Sequence, residues 1–232
     1  MAPNTQSKGQ SVIIRLYLIL YNVAQLAGWS FLMYKMVEVY LKQKSFNLIY
    51  KEVDYIVQIF QTAAILEVLH CAVGFVKSSV VLTAFQIASR VFLVWGIVYS
   101  VKEVQTSPAV PMFLFAWTVT EIIRYSFYFF SLVGSVPYIL IWCRYTFFII
   151  LYPVGVLGEL LSIWGAMPFV KKTNLYNLDL PNQYNVAFNF YFFLWFVIVM
   201  YIPVFPQLYM HMLRQRRKMV GGENTKLRQK AD

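Results

Sequence analysis

Charged side chains are scarce in this sequence of 232 residues. Asp, Glu, Lys and Arg make up only 13%, against 59% hydrophobic residues. A water-soluble domain carries about 25% charged residues because its surface faces water, so the surface here must face something apolar. Cysteine is nearly absent: Cys71 and Cys143 both sit inside apolar runs, which offers no disulfide framework and no metal spacing. The histidines, His70 and His211, lie far apart and are too few for a membrane di-iron centre, which needs many imidazole ligands. No glycine-rich nucleotide fingerprint occurs, and Gly221-Gly222 reads as a spacer in a polar tail. The opening MAPNTQSKGQ lacks the pattern of a cleavable signal. What remains is chemistry without a metal or nucleotide, and the expected cofactor is none.

What is present is apolar length. Several runs exceed the roughly 20 residues a helix needs to cross a bilayer. Charge, proline and polar clusters divide the chain into about six spans, at 13–34, 55–76, 79–101, 110–133, 138–167 and 186–211. The expectation is an all-α, polytopic membrane bundle. A polar tail (1–12) would precede one membrane domain (13–211), and a basic tail (212–232) would follow it. The longest loop is expected at 35–54. An even number of spans places both termini on one side, together with Lys8, Arg15, Lys77, Arg214, Arg216, Arg217, Lys218, Lys226, Arg228 and Lys230. Fewer cations fall on the other side (Lys35, Lys42, Lys44, Lys51, Lys102, Lys171 and Lys172), which favours cytosolic termini. The net charge of +10 is therefore read as topology rather than nucleic-acid binding.

Arg90, Arg124 and Arg144 lie inside apolar runs, as do Glu67, Glu121 and Glu159. An ionisable group there costs several kcal/mol unless it is paired or faces a polar cavity, so each is a candidate site residue. Glu121 and Arg124, three apart on one helix, can equally neutralise each other as structure.

The fifth run, WCRYTFFIILYPVGVLGE (142–159), is the most informative. Tyr145, Tyr152 and Glu159 recur every seven residues and so share one helix face; Arg144 falls on the same half. The run is too long for a perpendicular span, which predicts tilting or a kink. Pro153 crowds the carbonyl of Ile149, while Gly155 and Gly158 are expected to open a pocket beside Tyr152 and Glu159. A phenol and a carboxyl group placed together suit proton abstraction and elimination better than redox chemistry.

HCAVGFVKS (70–78) spells out the Cys-x-x-Gly-x-x-x-Ser spacing of a tyrosine-phosphatase loop. Lys77 stands where such a loop needs the bidentate fork of an arginine, and Asp54, Asp179 and Asp232 are all peripheral. The apolar residues before Cys71 make the stretch the end of the second span and its turn into the third.

LYPVGVLGE (151–159) resembles the active-site motif of the very-long-chain 3-hydroxyacyl-CoA dehydratases, also called protein tyrosine phosphatase-like proteins. VTEIIRYSFY (119–128), QIASRVFLVWGIVYS (86–100), LEVLHCAVGFVKSS (66–79) and LYNVAQLAGWSFLMY (20–34) resemble that family in the same order. The resemblance implies a six-span lyase of the endoplasmic reticulum that converts 3-hydroxyacyl-CoA to trans-2-enoyl-CoA in fatty-acid elongation. It implies long- and very-long-chain acyl-CoA substrates drawn from the membrane, and elongases (the condensing enzymes) and reductases as partners. Tyr152 and Glu159 would be the catalytic pair, with Arg90, Glu121, Arg124, Arg144, Tyr145 and Gly155 supporting them. Two assignments fit the elimination. Either Tyr152 deals with the α-proton and Glu159 with the departing hydroxyl, or Glu159 serves as sole base and acid. Tyr152 lies 14 residues beyond the expected cytosolic end of the fifth span at 138, about 21 Å deep at 1.5 Å per residue, so a channel must admit the pantetheine arm. Lys77, Arg144 and the basic tail are the expected neighbours of the CoA phosphates. The rival readings are a catalytically inactive scaffold of the same fold and a transporter. A transporter is disfavoured by the absence of a half-to-half repeat.

Overall fold

The computed structural model describes residues 11–183 and 185–221. Lys8, Lys226, Arg228 and Lys230 lie outside the described residues. Helices are the regular elements of the described chain, with a single isolated bridge between Leu178 and Phe188. The helices are α1 (Val12–Gln43), α2 (Ile49–Ala63), α3 (Ile65–Ala72), α4 (Val80–Val91), α5 (Ala109–Val133), α6 (Tyr138–Thr146), α7 (Phe148–Thr173) and α8 (Phe190–Arg216). α4 runs on into a π-helical stretch, Phe92–Tyr99.

Five stretches are long and apolar enough to cross a membrane: Val12–Gln43, Ile49–Ala72, Val80–Tyr99, Phe148–Thr173 and Phe190–Met219. Their outward faces carry large apolar side chains, among them Leu20, Val81, Ile150, Phe192 and Ile202. A bilayer rewards such a surface and water does not. α5, the remaining expected span, is 25 residues long but holds Glu121 and Arg124 at mid-length. It is the hub of the bundle, packed chiefly between α1 and α7, so protein rather than lipid meets its charges.

Three expectations need correction. The loop drawn at 35–54 is mostly helix: α1 continues to Gln43 and α2 starts at Ile49. Lys35 and Lys42 both pair with Glu38, one turn away on the same helix, which lets a polar helical end extend beyond the apolar span. The fifth run breaks at Phe147 into α6 and α7 rather than at Pro153, which sits inside α7. The Ile149 carbonyl that Pro153 leaves without a helical donor instead accepts a hydrogen bond from the Tyr209 hydroxyl at 3.4 Å. The boundary expected at 211 falls within α8.

HCAVGFVKS closes α3. Phe75 N–H donates to the His70 carbonyl at 2.8 Å and Gly74 N–H to the Cys71 carbonyl at 3.2 Å, the paired bonds of a Schellman cap. Gly74 supplies the left-handed residue that cap requires, at φ +80°. Ser79 then caps the start of α4 by accepting from Leu82 N–H. Cys71 is buried, with its Sγ 3.7 Å from Thr83 Oγ1. The stretch is a helix–turn–helix corner, as its apolar approach predicts.

The start of α1 and the end of α8 lie at the same end of the bundle. Arg15 Nε donates to the Leu132 carbonyl at the foot of α5, at 2.8 Å. α6, which follows α5, packs against the turn after α8, Arg217–Gly221.

Candidate active site

The site forms where α5, α7 and α8 meet. α7 approaches α5 closely because Gly155, Gly158, Ser162 and Ala166 present little bulk to it. A Cβ on Gly158 would lie 2.8 Å from Phe113 N and 2.9 Å from the Ala109 carbonyl oxygen, both backbone atoms of α5. A Cβ on Gly155 would lie 3.5 Å from Ala116 Cβ and 3.9 Å from Trp117 Cδ1. The pocket expected at these glycines is therefore filled by α5. The glycines serve approach, and the approach brings Trp117 to Glu159.

Both carboxyl oxygens of Glu159 are held. The Trp117 indole N–H donates to Oε1 at 2.8 Å, and the Tyr201 hydroxyl donates to Oε2 at 2.7 Å. An indole N–H can only donate, so this arrangement presents Glu159 as an acceptor. Tyr152 lies two turns earlier on α7. Its ring stacks on Phe205 (centroids 5.1 Å, planes 4° apart) and lies parallel to Tyr209 at 6.3 Å. Its hydroxyl makes no hydrogen bond among the described residues. Tyr201, Phe205 and Tyr209 recur every four residues on α8, so one face of α8 clamps both members of the pair.

Beside the pair runs an ionic network. Arg90 on α4 bonds to Glu121 on α5, and its guanidinium lies over the Trp117 ring at 5.0 Å. Arg124 bonds to Glu121 at 2.6 Å and reaches Glu67 on α3 with two nitrogens, at 2.8 and 3.0 Å. Tyr125 also donates to Glu67, and Tyr21 on α1 does so at 3.4 Å. Two arginines and two glutamates thus compensate one another across three helices, as the spacing of Glu121 and Arg124 foreshadowed. Tyr17 and His70 Nε2, 2.8 Å apart, continue the polar line between α1 and α3.

The remaining expected site residues are separate from this centre. Tyr145 and Arg144 lie on α6, ahead of the break, rather than on the helix that carries Tyr152. Tyr145 makes no hydrogen bond to either member of the pair. Arg144 has no carboxylate partner among the described residues, and its guanidinium sits over Phe127 at 4.4 Å and Tyr128 at 5.1 Å. Trp117, Tyr201, Phe205 and Tyr209 went unmarked in the sequence, where aromatic residues are common. The every-fourth spacing on α8, and Trp117 one turn before Glu121, were the available signals. No group of three or more His, Cys, Asp or Glu suited to a metal occurs among the described residues.

A family model described as protein tyrosine phosphatase-like protein, PTPLA, matches residues 61–222. The chain is 52% identical to mouse very-long-chain (3R)-3-hydroxyacyl-CoA dehydratase 2, over 93% of this chain and 85% of the relative. It is 44% identical to the Caenorhabditis elegans dehydratase hpo-8, covering 92% and 98% respectively. It is 40% identical to Arabidopsis thaliana dehydratase PASTICCINO 2, covering 91% and 96%. No solved structure matches it significantly.

Proposed function

Because the chain belongs to the protein tyrosine phosphatase-like family, PTPLA, we propose that it is a membrane hydro-lyase converting 3-hydroxyacyl-CoA to trans-2-enoyl-CoA in very-long-chain fatty-acid elongation, with Tyr152 and Glu159 as its catalytic pair. The observation that carries this reading is the setting of Glu159. It is a carboxyl group among membrane helices, without an ion-pair partner among the described residues, and both its oxygens are held by neutral donors on two other helices. A structural glutamate in an apolar bundle would be paired, as Glu67 and Glu121 are. One that is oriented and left uncompensated suits proton transfer.

In the elimination a base takes the proton from carbon 2 and the C3–O bond breaks. The leaving hydroxide is protonated to water as the C2=C3 double bond forms, with no change in overall oxidation state. Glu159, presented as an acceptor, is suited to receive the proton. The Tyr152 hydroxyl is placed to hydrogen-bond the thioester enolate or the departing oxygen. The assignment with the roles divided the other way uses the same two groups, and exchange of the carbon-2 hydrogen with solvent deuterium separates them. A variant that keeps exchange but loses dehydration has lost the acid.

The same reading puts the protein in the endoplasmic-reticulum membrane with cytosolic termini, beside the condensing enzymes and reductases of elongation. The cations at the common end of α1 and α8 support that orientation. The test is purified protein given 3-hydroxyacyl-CoA, with enoyl-CoA measured as product. Wild type should turn over, and Tyr152→Phe and Glu159→Gln should each lose nearly all dehydration while keeping the wild-type thermal unfolding midpoint. Turnover retained by either variant rejects the pair, and a folded wild type that forms no enoyl-CoA favours the scaffold.

A further inference from the structure

α7 and α8 meet on two sides. On one side the Tyr201 hydroxyl donates to Glu159. On the other the two helices leave between them a crevice of about 280 Å³, lined by Trp164, Met167, Pro168 and Lys171 of α7 and by Tyr191 and Trp195 of α8. Trp164 follows Glu159 by five residues, a rotation of about 140° around the helix, so the crevice faces away from the site. It opens on the outer surface: Trp164 is 56% exposed and Trp195 37%. It lies near the end of α7 and the start of α8, which puts it at the opposite end of the bundle from the start of α1 and the end of α8.

The lining has a definite chemistry. Trp164 and Trp195 meet edge to face across the crevice, with centroids 5.5 Å apart and planes at 87°. Neither indole N–H donates a hydrogen bond among the described residues. Lys171 reaches from α7 to set its Nζ 5.7 Å over the ring of Tyr191 on α8, a cation–π contact that holds the ammonium across the outer end. Neither Lys171 nor Lys172 forms an ion pair among the described residues. That holds although Glu103 sits in the short 3-10 turn that packs against α7, and Asp179 in the loop that follows α7.

Tryptophan and lysine are common where a span leaves the bilayer, and a lysine there ordinarily extends towards water. Lys171 is instead turned over a ring of the neighbouring helix, beside a space that side chains leave open. From Lys171 to Trp164 is seven residues of one helix, two turns or about 10 Å. Beyond the indoles the same faces continue as apolar stripes, Leu161 and Leu157 on α7 and Val199 and Ile202 on α8, all exposed. A fixed cation, then indole donors, then an apolar track repeats the order of phosphate, ester oxygens and acyl chain in a glycerophospholipid. Two uncompensated lysines favour a headgroup with net negative charge over a zwitterionic one. We propose that the α7–α8 crevice binds an anionic glycerophospholipid, with its phosphate at Lys171, its ester oxygens at Trp164 and Trp195, and its chains along the stripes beyond. The lipid then ties α7 to α8 behind the contact that holds Glu159. The proposal is independent of the dehydratase reading.

The test uses the full chain in phosphatidylcholine vesicles that contain a minor fraction of lipid brominated near the headgroup, since bromine quenches tryptophan fluorescence on contact. The crevice signal is the difference between wild type and Trp164→Phe/Trp195→Phe, which removes two of the six tryptophans. Brominated phosphatidylglycerol should bind at the crevice about fivefold more tightly than brominated phosphatidylcholine, the effect of one lysine at an anionic membrane surface. Lys171→Gln should bring that ratio close to one, Lys171→Arg should keep it, and added salt should lower it. Equal quenching by the two lipids on wild type would overturn the proposal and leave an ordinary aromatic belt. A preference unchanged by Lys171→Gln would also overturn it. So would quenching by neither lipid, which would place protein, a second copy or another chain, over the crevice. Should Lys171→Gln fail to fold, the wild-type preference and its salt dependence decide, and a preference insensitive to salt counts against the site.

Discussion

Glu159, the carboxyl group of the proposed pair, is held by two neighbours on other helices. Trp117 and Tyr201 each supply one hydrogen bond to it, and leaving a buried acceptor without its donor costs roughly 1–3 kcal/mol. Trp117→Phe and Tyr201→Phe keep the rings and remove the donors. Each should lower kcat by about ten- to a hundredfold with little change in KM, and the pair together should lower it further, as steady-state assays would show. A change confined to thermal stability would make these residues structural. The distinction matters most for Trp117, whose ring also carries the Arg90 guanidinium and so joins the ionic network to the site. Neither role was visible at the level of residue type: in a chain with 19% aromatic residues, one tryptophan does not stand out until its N–H has a direction.

At the scale of elements, the site depends on how closely α7 lies against α5. Gly158 is in contact distance of α5 backbone, whereas Gly155 faces Ala116 and the edge of Trp117 at ordinary van der Waals range. The two glycines should therefore fail differently. Gly158→Ala forces two helices apart and should cost about 1–3 kcal/mol, seen as a lower unfolding midpoint in detergent. Gly155→Ala should be milder in stability, and Gly155→Leu should reduce dehydration more than it reduces the midpoint, because the larger side chain displaces Trp117. Both glycines were legible as unusual from LYPVGVLGE, but their purpose was misread. Small residues beside a proline suggest an opening when a helix is considered alone, and they become a contact surface once a second helix is brought against them.

Across the whole molecule, the Arg90–Glu121–Arg124–Glu67 network ties α3, α4 and α5 together. Glu121 is 1% exposed and serves two arginines. Glu121→Gln leaves two cations with one carboxylate and should destabilise the fold by about 3 kcal/mol or more, the cost of an uncompensated buried charge. Adding Arg90→Gln restores the balance, so the double variant should lose less than the sum of the single losses in thermal unfolding. The network could not be assigned from the chain alone, because i, i+3 spacing identifies only Glu121 and Arg124 as neighbours. Arg90 and Glu67 join through helix packing.

The sequence by itself determined the membrane bundle, the unusual intramembrane charges, the heptad-spaced Tyr152 and Glu159, and the helix-ending role of HCAVGFVKS. Those properties follow from hydropathy, helical periodicity and local capping, which are functions of nearby residues. The tertiary structure decided which charges cancel, which donors hold Glu159, where the fifth run breaks, and that α1 and α2 carry helix through the segment that had looked like a loop. Each of those depends on contacts between residues distant in the chain, or on a polar helical end whose charges pair along its own surface. The two ionisable side chains that remained after the pairing, Glu159 and Arg144, became distinguishable from the other four only when the helices were set side by side.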